Sequence, residues 1–385
     1  MKILYAAMKY DYGKRERGFS FEHWNFYDSL RQMGHDILYF DFMTLFEERG
    51  RDWTSRRLVE VARSEHPDVL FCVLFTDELD PDAVEAISRE TDTVTLNWFC
   101  DDHWRFEDFS RHWAPRFDYV VTTASSAMPK YAAIGYDRAI KSQWACNHHL
   151  YRRLDVEPIY DVTFIGQPHG NRRAVVGALR RAGIDVRAWG TGWESDRLEQ
   201  EEMIRVLNQS RITLNLSNAS RPRRDIRSLA SAGVSFARVL ASTRSLDRAA
   251  VAQLRAGSAR YADQIKARNF EAPGCGTFLL TGSADDLERY YDTEREVVAF
   301  EGVDDLIDKL RYYLDDGDAR RAVADAGYTR TLREHTYDHR FATIFDRIGL
   351  ASATAGEAAM GATEDVGYPT AGGRARPRRS IDSAR

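Results

Sequence analysis

Over its first 350 residues the chain repeats one pattern, a short apolar run of strand character followed by a stretch of helical length. KILYAA leads into SFEHWNFYDSLRQMG, HDILYFDF into residues 54–65, DVLFCVLF into DPDAVEAISRE, TVTLNWFC into residues 107–115, and YVVTT into SAMPKYAAIG. Nearly continuous apolar runs belong to strands buried on both faces, and their alternation with helices predicts parallel sheets. In the first helix Phe21, Trp24, Phe26, Leu30 and Met33 mark an apolar face, Ser20 is placed to cap it and Gly34 to end it.

The polar segment YRRLDVEPIYD breaks the rhythm, after which VTFIG, NRRAVVGALRRAG, DVRAWG, EQEEMIRVLNQS and ITLNLS begin it afresh. GTFLLT, a helix at DDLERYYD, a short strand REVVAF and a long helix VDDLIDKLRYYLDD continue it. The pattern implies an α/β chain of two Rossmann-like, doubly wound domains facing a central cleft, residues 1–155 and 156–335, with a final helix over 336–350. An Ala/Ser/Arg-rich insertion at about 219–260 interrupts the second domain, and the Ala/Gly/Thr-rich tail 351–385 has too little apolar content to build a core, so disorder is expected there.

At 385 residues the chain exceeds one ordinary core, and 43% hydrophobic with 29% charged residues is the balance of a folded, water-exposed protein. The net charge of −5 argues against general nucleic-acid binding, which calls for a basic excess on one face. The four cysteines, Cys72, Cys100, Cys146 and Cys275, have neither zinc-ligand nor disulfide-framework spacing and read as small hydrophobes in a reducing compartment. No signal-peptide pattern opens the sequence, and the longest apolar run, VLFCVLF, falls far short of the roughly 20 residues that span a bilayer. A cytoplasmic protein is expected, peripheral at a membrane at most.

Open parallel sheets bind ligands beyond the carboxyl ends of their strands, which directs attention to the loops there. VTFIG runs into QPHGNRR, setting Gly166, His169, Gly170, Arg172 and Arg173 at a loop and helix N-terminus, where backbone N–H groups and guanidinium groups suit a diphosphate. Later in the same domain KARNFEAPGCGTFLLT carries a lone acid, Glu271, with Asp263 eight residues before it and Lys266 and Arg268 between them. An acid here is not expected in the core, because carboxylates are almost never fully buried without a partner. A carboxylate for a hydroxyl pair beside cations for phosphates is what a nucleoside diphosphate requires, and Pro273, Gly274 and Gly276 are expected to form a tight turn before the strand.

These residues resemble a known group. KARNFEAPGCGTFLLT looks like the segment around the second Glu of the E-x7-E motif in nucleotide-sugar-dependent glycosyltransferases of the GT-B fold, nearest to their CgeB-type, group 1-like branch. FIGQPHGNRR, the WGTGW turn, EEMIRVLNQSRITLNLS and WFCDDHWRF followed by FDYVVTT extend the resemblance over most of residues 1–350, the insertion excepted. It implies that Glu271 accepts hydrogen bonds from the donor ribose, and that the first acidic position falls on the shorter Asp263. Lys266 and Arg268 would stabilise the departing diphosphate in place of a metal ion. Gly166, His169 and Arg172 would complete the phosphate cradle, while Trp189, Gly190, Glu202 and Met203 would lie near the base. The final helix would return to pack on the first domain.

The first domain would then hold the acceptor, a glycan, glycolipid or small molecule, near Asp101, Asp102, His103 and Trp104, which follow TLNWFC. A carboxylate or imidazole there can take the acceptor proton. The adjacent acids lack the spacing of a metal-binding D-x-D, so neither a metal nor any cofactor besides the nucleotide-sugar co-substrate is expected. Where inverting relatives place a His before the first helix, this chain has Gly18 and Phe19, with His23 a turn further on reading as a helix-surface residue, which favours retention. Tyr10, Tyr12 and Trp24 border that loop and offer rings to a sugar. The pair His148-His149 lies between the domains, either as a hinge or acceptor contact or as a solvated pair. Two further functions stay open: a non-catalytic nucleotide-sugar or glycan binder of the same fold, and a nucleotide-sugar epimerase.

Overall fold

A computed structural model describes residues 1–217 and 264–350; the insertion at 219–260, Asp263 and the tail 351–385 lie outside the described residues. The first lobe is a parallel sheet of β1 (Lys2–Ala6), β2 (Asp36–Phe40), β3 (Val69–Cys72), β4 (Val94–Phe99), β5 (Tyr119–Thr122) and β6 (Ala139–Lys141), in the order β2-β1-β3-β4-β5-β6. The second comprises β7 (Tyr160–Ile165), β8 (Val186–Trp189), β9 (Ser210–Asn215), β10 (Phe278–Gly282) and β11 (Val298–Phe300), in the order β11-β10-β9-β7-β8, again parallel throughout.

Strand residues alternate between the sheet faces, and both faces of the first sheet are buried. Ile3, Tyr5, Phe71 and Trp98 face one apolar cluster, while Leu4, Ala6, Leu70 and Cys72 face another with Leu58 and Ile87 of the covering helices. Local signals set helix starts: the Asp80 carboxylate accepts from Asp82 N at 3.0 Å with Pro81 in the first position, and Thr336 caps the closing helix Tyr337–Arg347. That closing helix leaves the second lobe and packs on the first, where the Phe341 ring meets Phe26, Phe71 and Trp98 at centroid separations of 5.6, 5.7 and 6.3 Å. The apolar cluster beneath it is continuous, running from β1 through Trp144 and Tyr151 of the connecting segment to Phe270 and Leu279 of the second lobe.

Two segments depart from the sequence-based expectation. DDLERYYD forms only a short 3-10 turn, Leu287–Arg289, between the loop after β10 and Tyr291, which is buried against Thr331. The Pro-Gly stretch before β10 turns only at its end, where Gly276 at φ +72° donates to Pro273 O at 2.8 Å; Arg268–Gly274 is helical, with Pro273 inside it near the C-terminal end. Proline there forfeits only the bond that its N–H would have made one turn back, while Glu271 N to Ala267 O at 3.0 Å and Cys275 N to Glu271 O at 3.1 Å hold the turns on either side.

Candidate functional site

In both sheets the strand order reverses beside the first strand of the lobe, between β1 and β3 and between β7 and β9. At such a switch point the loops leave in opposite directions and open a crevice. In the second lobe the crevice lies between the loop after β7, which holds Gly166, His169 and Gly170, and the chain after β9. Gly166 N donates to Trp189 O at 2.9 Å, and Trp193 Nε1 donates to Gly166 O at 2.7 Å. Gly190, at φ +136°, allows this approach, since a Cβ there would sit 2.7 Å from Gly166 O. His169 and Gly170 are exposed at the rim of the loop.

The two arginines following this loop brace it. Arg172 Nε donates to Leu216 O at 2.9 Å and Nη1 to Gln167 O at 2.8 Å, tying together the two loops of the crevice over the Phe164 ring. Arg173 donates to Gly192 O and lies over Trp193. Their guanidinium groups, expected on a diphosphate, are committed to backbone carbonyls, so the cradle's free polarity rests with its backbone and the helix N-terminus at Arg172.

Glu271 is met by the protein itself. It is only 4% exposed; Oε1 accepts from Tyr151 Oη at 2.9 Å, and Oε2 faces Arg268 Nη1 at 3.0 Å. Gln200 Nε2 donates to the same Tyr151 oxygen at 3.0 Å, and Arg268 Nη2 reaches Met203 Sδ at 3.1 Å. The expectation that this acid stays out of the core is therefore corrected: a partner is what permits its burial. Arg268 Nε remains buried with no hydrogen-bond acceptor among the described residues. Met203 is half-buried beside this pair, whereas Glu202 is exposed.

Lys266 turns towards the other lobe. Its Nζ lies 3.3 Å from Gln264 Oε1, and Gln264 Nε2 donates across the cleft to Thr123 Oγ1 at 2.6 Å and to Cys100 O at 3.1 Å. His103 lies within the field of the Lys266 ammonium; burial first, then that charge, push the imidazole pKa down to about 4 against the opposing pull of Asp101. Neutral at physiological pH, His103 has a buried Nδ1 without a hydrogen-bond partner among the described residues. The charges of Lys266, from the second lobe, and Asp101, from the first, thus both act on His103.

Asp102 separates from its neighbours. Fully buried, it accepts from Ser110 Oγ and from Tyr131 Oη, the latter at 2.7 Å, and burial raises its pKa. It anchors the helical stretch after β4 and does not face the cleft, which corrects its assignment as a catalytic candidate. Asp101 instead borders a cavity of about 190 Å³ at the first lobe's switch point, with Tyr12, Glu22, Phe75, Arg105 and Phe109. Two π-helical turns, His23–Tyr27 and Phe106–Ser110, adjoin this cavity, a distortion common beside functional sites.

Glu22 is the residue that sequence reasoning missed. Burial, reinforced by the Asp11 and Asp101 carboxylates and opposed by hydrogen bonds to its own backbone and Ser20, pushes its pKa up to about 7. The expectation of an imidazole before the first helix passes over an acid at its start; the signal was a charge within an otherwise aromatic run, FSFEHWNF. His23, expected on the helix surface, is instead half-buried between Phe19 and Tyr27, with ring centroids 4.1 and 4.9 Å away. Burial lowers its pKa to about 4.

Residues 172–346 match the model of a family described as glycosyl transferase-like. Among solved structures, the chain is similar to the sucrose-phosphate synthase of Thermosynechococcus elongatus (9% identity, 91% of this chain and 100% of that one covered, TM-score 0.57). It is likewise similar to a glycosyltransferase from Rickettsia africae (9% identity, 90% and 97% covered, TM-score 0.54) and to Anabaena Alr3699/HepE in complex with UDP-glucose (11% identity, 91% and 99% covered, TM-score 0.54). No curated protein matches the sequence. At these identities the likeness is one of fold, and the fold is that of the GT-B glycosyltransferases. The family match falls on the second lobe and the closing helix, less than half of the chain.

Proposed function

We propose that the protein transfers a sugar from a nucleotide-diphosphate sugar held on the second lobe to an acceptor hydroxyl held in the first-lobe cavity. The observation that carries this reading is that Lys266, two residues before Arg268 of the buried Arg268–Glu271 pair in the second lobe, brings its charge to bear on His103 of the first. A carboxylate oxygen has more than one lone-pair site, so Glu271 can accept a ribose hydroxyl while keeping Tyr151 and Arg268. Arg268 Nε and the Lys266 ammonium then supply positive charge where the diphosphate departs, a task otherwise given to a metal ion. The structurally similar Anabaena protein was solved with UDP-glucose, which supports a nucleotide-sugar donor here. The resemblance of KARNFEAPGCG to the CgeB-type branch supports the same assignment of Glu271.

In the transfer, the acceptor oxygen bonds to the anomeric carbon as the bond from that carbon to the diphosphate oxygen breaks, and the hydroxyl proton must leave. Glu22, beside Asp101 in the cavity, is a carboxylate with a pKa near that of the medium and is suited to take it. This observation favours inversion by single displacement over the retention expected from the missing imidazole, in which the departing phosphate receives the proton. The acceptor class is a glycan, glycolipid or small molecule with a hydroxyl small enough to enter between Tyr12 and Phe109. Among the described residues no helix is long and apolar enough to cross a membrane. A non-catalytic binder would have no use for a titratable Glu22, and an epimerase would release epimerised sugar without an acceptor.

The test is thermal stabilisation by a panel of nucleoside diphosphates and nucleotide sugars, with no divalent metal added, on the protein and on Glu271→Ala. A selective shift that the variant loses is expected. No shift with any member overturns the donor site. With the donor identified, NMR of the anomeric centre of the product distinguishes inversion from retention.

A further inference from the structure

Outside the cleft, two chain segments bring together three groups that nothing in the transfer reaction uses. His148 and His149 lie in the segment connecting the lobes, and Asp338 lies in the first turn of the closing helix. Each offers one ligand atom, and these atoms lie within 4.8 Å of one another. Asp338 Oδ1 is 3.9 Å from His148 Nδ1, and Asp338 Oδ2 is 3.5 Å from His149 Nε2. The side chains are 29 to 32% exposed, yet His148 Nδ1, His149 Nε2 and Asp338 Oδ1 are themselves shielded from solvent and have no hydrogen-bond partner among the described residues. Buried polar atoms are nearly always paired, and three orphans converging on one point call for an occupant.

We propose that His148, His149 and Asp338 bind a divalent transition-metal ion of the zinc type. Two imidazoles and a carboxylate form a ligand set that zinc takes, with a water or a further group in the fourth position. Around zinc, bonds of about 2.0–2.1 Å put neighbouring ligand atoms roughly 3.3 Å apart, so the observed separations need only small side-chain rotations.

The backbone holds the three groups in place. Cys146 N donates to His335 O at 2.9 Å and Tyr337 N to Cys146 O at 3.1 Å, so the connecting segment and the start of the closing helix run side by side. Asn147 fixes the turn that carries the histidines: its Oδ1 accepts from His149 N at 3.1 Å, and its Nδ2 donates to Trp24 O at 2.7 Å and Asp28 Oδ2 at 2.9 Å. A third imidazole, His35, lies within the field of Asp338, its Nε2 without a partner among the described residues. An ion here ties the segment joining the lobes to the helix that returns across them, and its role is to fix the lobes' relative placement. The proposal is independent of metal-free glycosyl transfer.

The experiment uses the full chain without a polyhistidine tag, stripped with chelator and titrated with Zn2+ or Co2+ alone. Stoichiometric uptake of one ion per chain, the intense visible absorption of low-coordinate Co2+ and a raised thermal midpoint are expected. The double variant His148→Ala/His149→Ala and the variant Asp338→Asn are expected to lose all three. Circular dichroism and the melting temperature in chelator, matched to the stripped wild type, establish that the variants are folded. No stoichiometric uptake by the wild type, or uptake unchanged in both variants, overturns the site. Should the double variant not fold, uptake unchanged in Asp338→Asn alone overturns it.

Discussion

Glu271 and Arg268 show how one residue pair serves the fold and the site together. Breaking a buried ion pair leaves the remaining charge uncompensated, so Glu271→Gln is expected to destabilise the protein by about 3–5 kcal/mol, read by urea denaturation. Tyr151→Phe removes one hydrogen bond to the same carboxylate and is expected to cost about 0.5–1.5 kcal/mol. Glu22 makes a pH prediction. Its folded pKa of about 7 exceeds the ordinary value of 4.5, so the folded state holds the proton more tightly, and its contribution to stability is present below 4.5 and lost as pH rises through 7. Glu22→Gln should therefore gain stability relative to wild type as pH rises across that window. As the base, Glu22 should also make kcat/KM rise with pH through about 7, and Glu22→Gln should lower kcat by about 10²–10⁴-fold and abolish that limb. Residue types along the chain pointed to Glu271 and Arg268, which pair with each other, and to Lys266 and Asp101, whose charges both act on His103. Asp102 and Arg172 looked equivalent to them in sequence, but Tyr131 and Ser110 draw the first inward, and the carbonyls of Gln167 and Leu216 occupy the second. Partners supplied from other parts of the chain are invisible in a local reading.

At the scale of elements, the loops after β7 and β8 act as one unit because Gly190 lets them touch. Gly190→Ala would place a methyl group against Gly166 O at a positive φ, and a cost of about 1–3 kcal/mol in urea denaturation is expected, with weaker donor-induced stabilisation. The strands were legible because their apolar runs state their burial directly. The segment around Glu271 was not, since its Pro and Gly residues signal a turn locally. The helix forms there because Phe270 and Ala272 are drawn into the cluster shared with Tyr151 and Tyr291. Gly274 then packs where a Cβ would lie 2.3 Å from Cys146 Sγ, so its role is close approach to the connecting segment. DDLERYYD has helical composition but forms only the turn Leu287–Arg289, and Tyr291 is buried.

The whole molecule is held as two lobes by a continuous apolar cluster and the closing helix, with polar links at Lys141–Tyr290, Gln264–Thr123 and Asp11–Arg197. Exposed pairs such as Asp11–Arg197 contribute little to stability, so the aromatic contacts of Phe341 dominate the coupling. Phe341→Ala is expected to cost about 3–5 kcal/mol and to split a single thermal transition into two, observed by calorimetry.

Periodicity and strand composition were enough to determine two parallel α/β lobes and the break between them, because burial on both faces of a strand must be written in the strand itself. Loop composition was enough to single out the loop after β7 and the Glu271 segment. Only the tertiary structure decided that Arg172 braces a crevice, that Asp102 is an anchor, that Glu22 lines the first-lobe cavity, and that His148, His149 and Asp338 converge. Each of those facts depends on which distant residues come within a few ångströms, and the energy of a charge or a polar group is set by those neighbours rather than by its place in the chain.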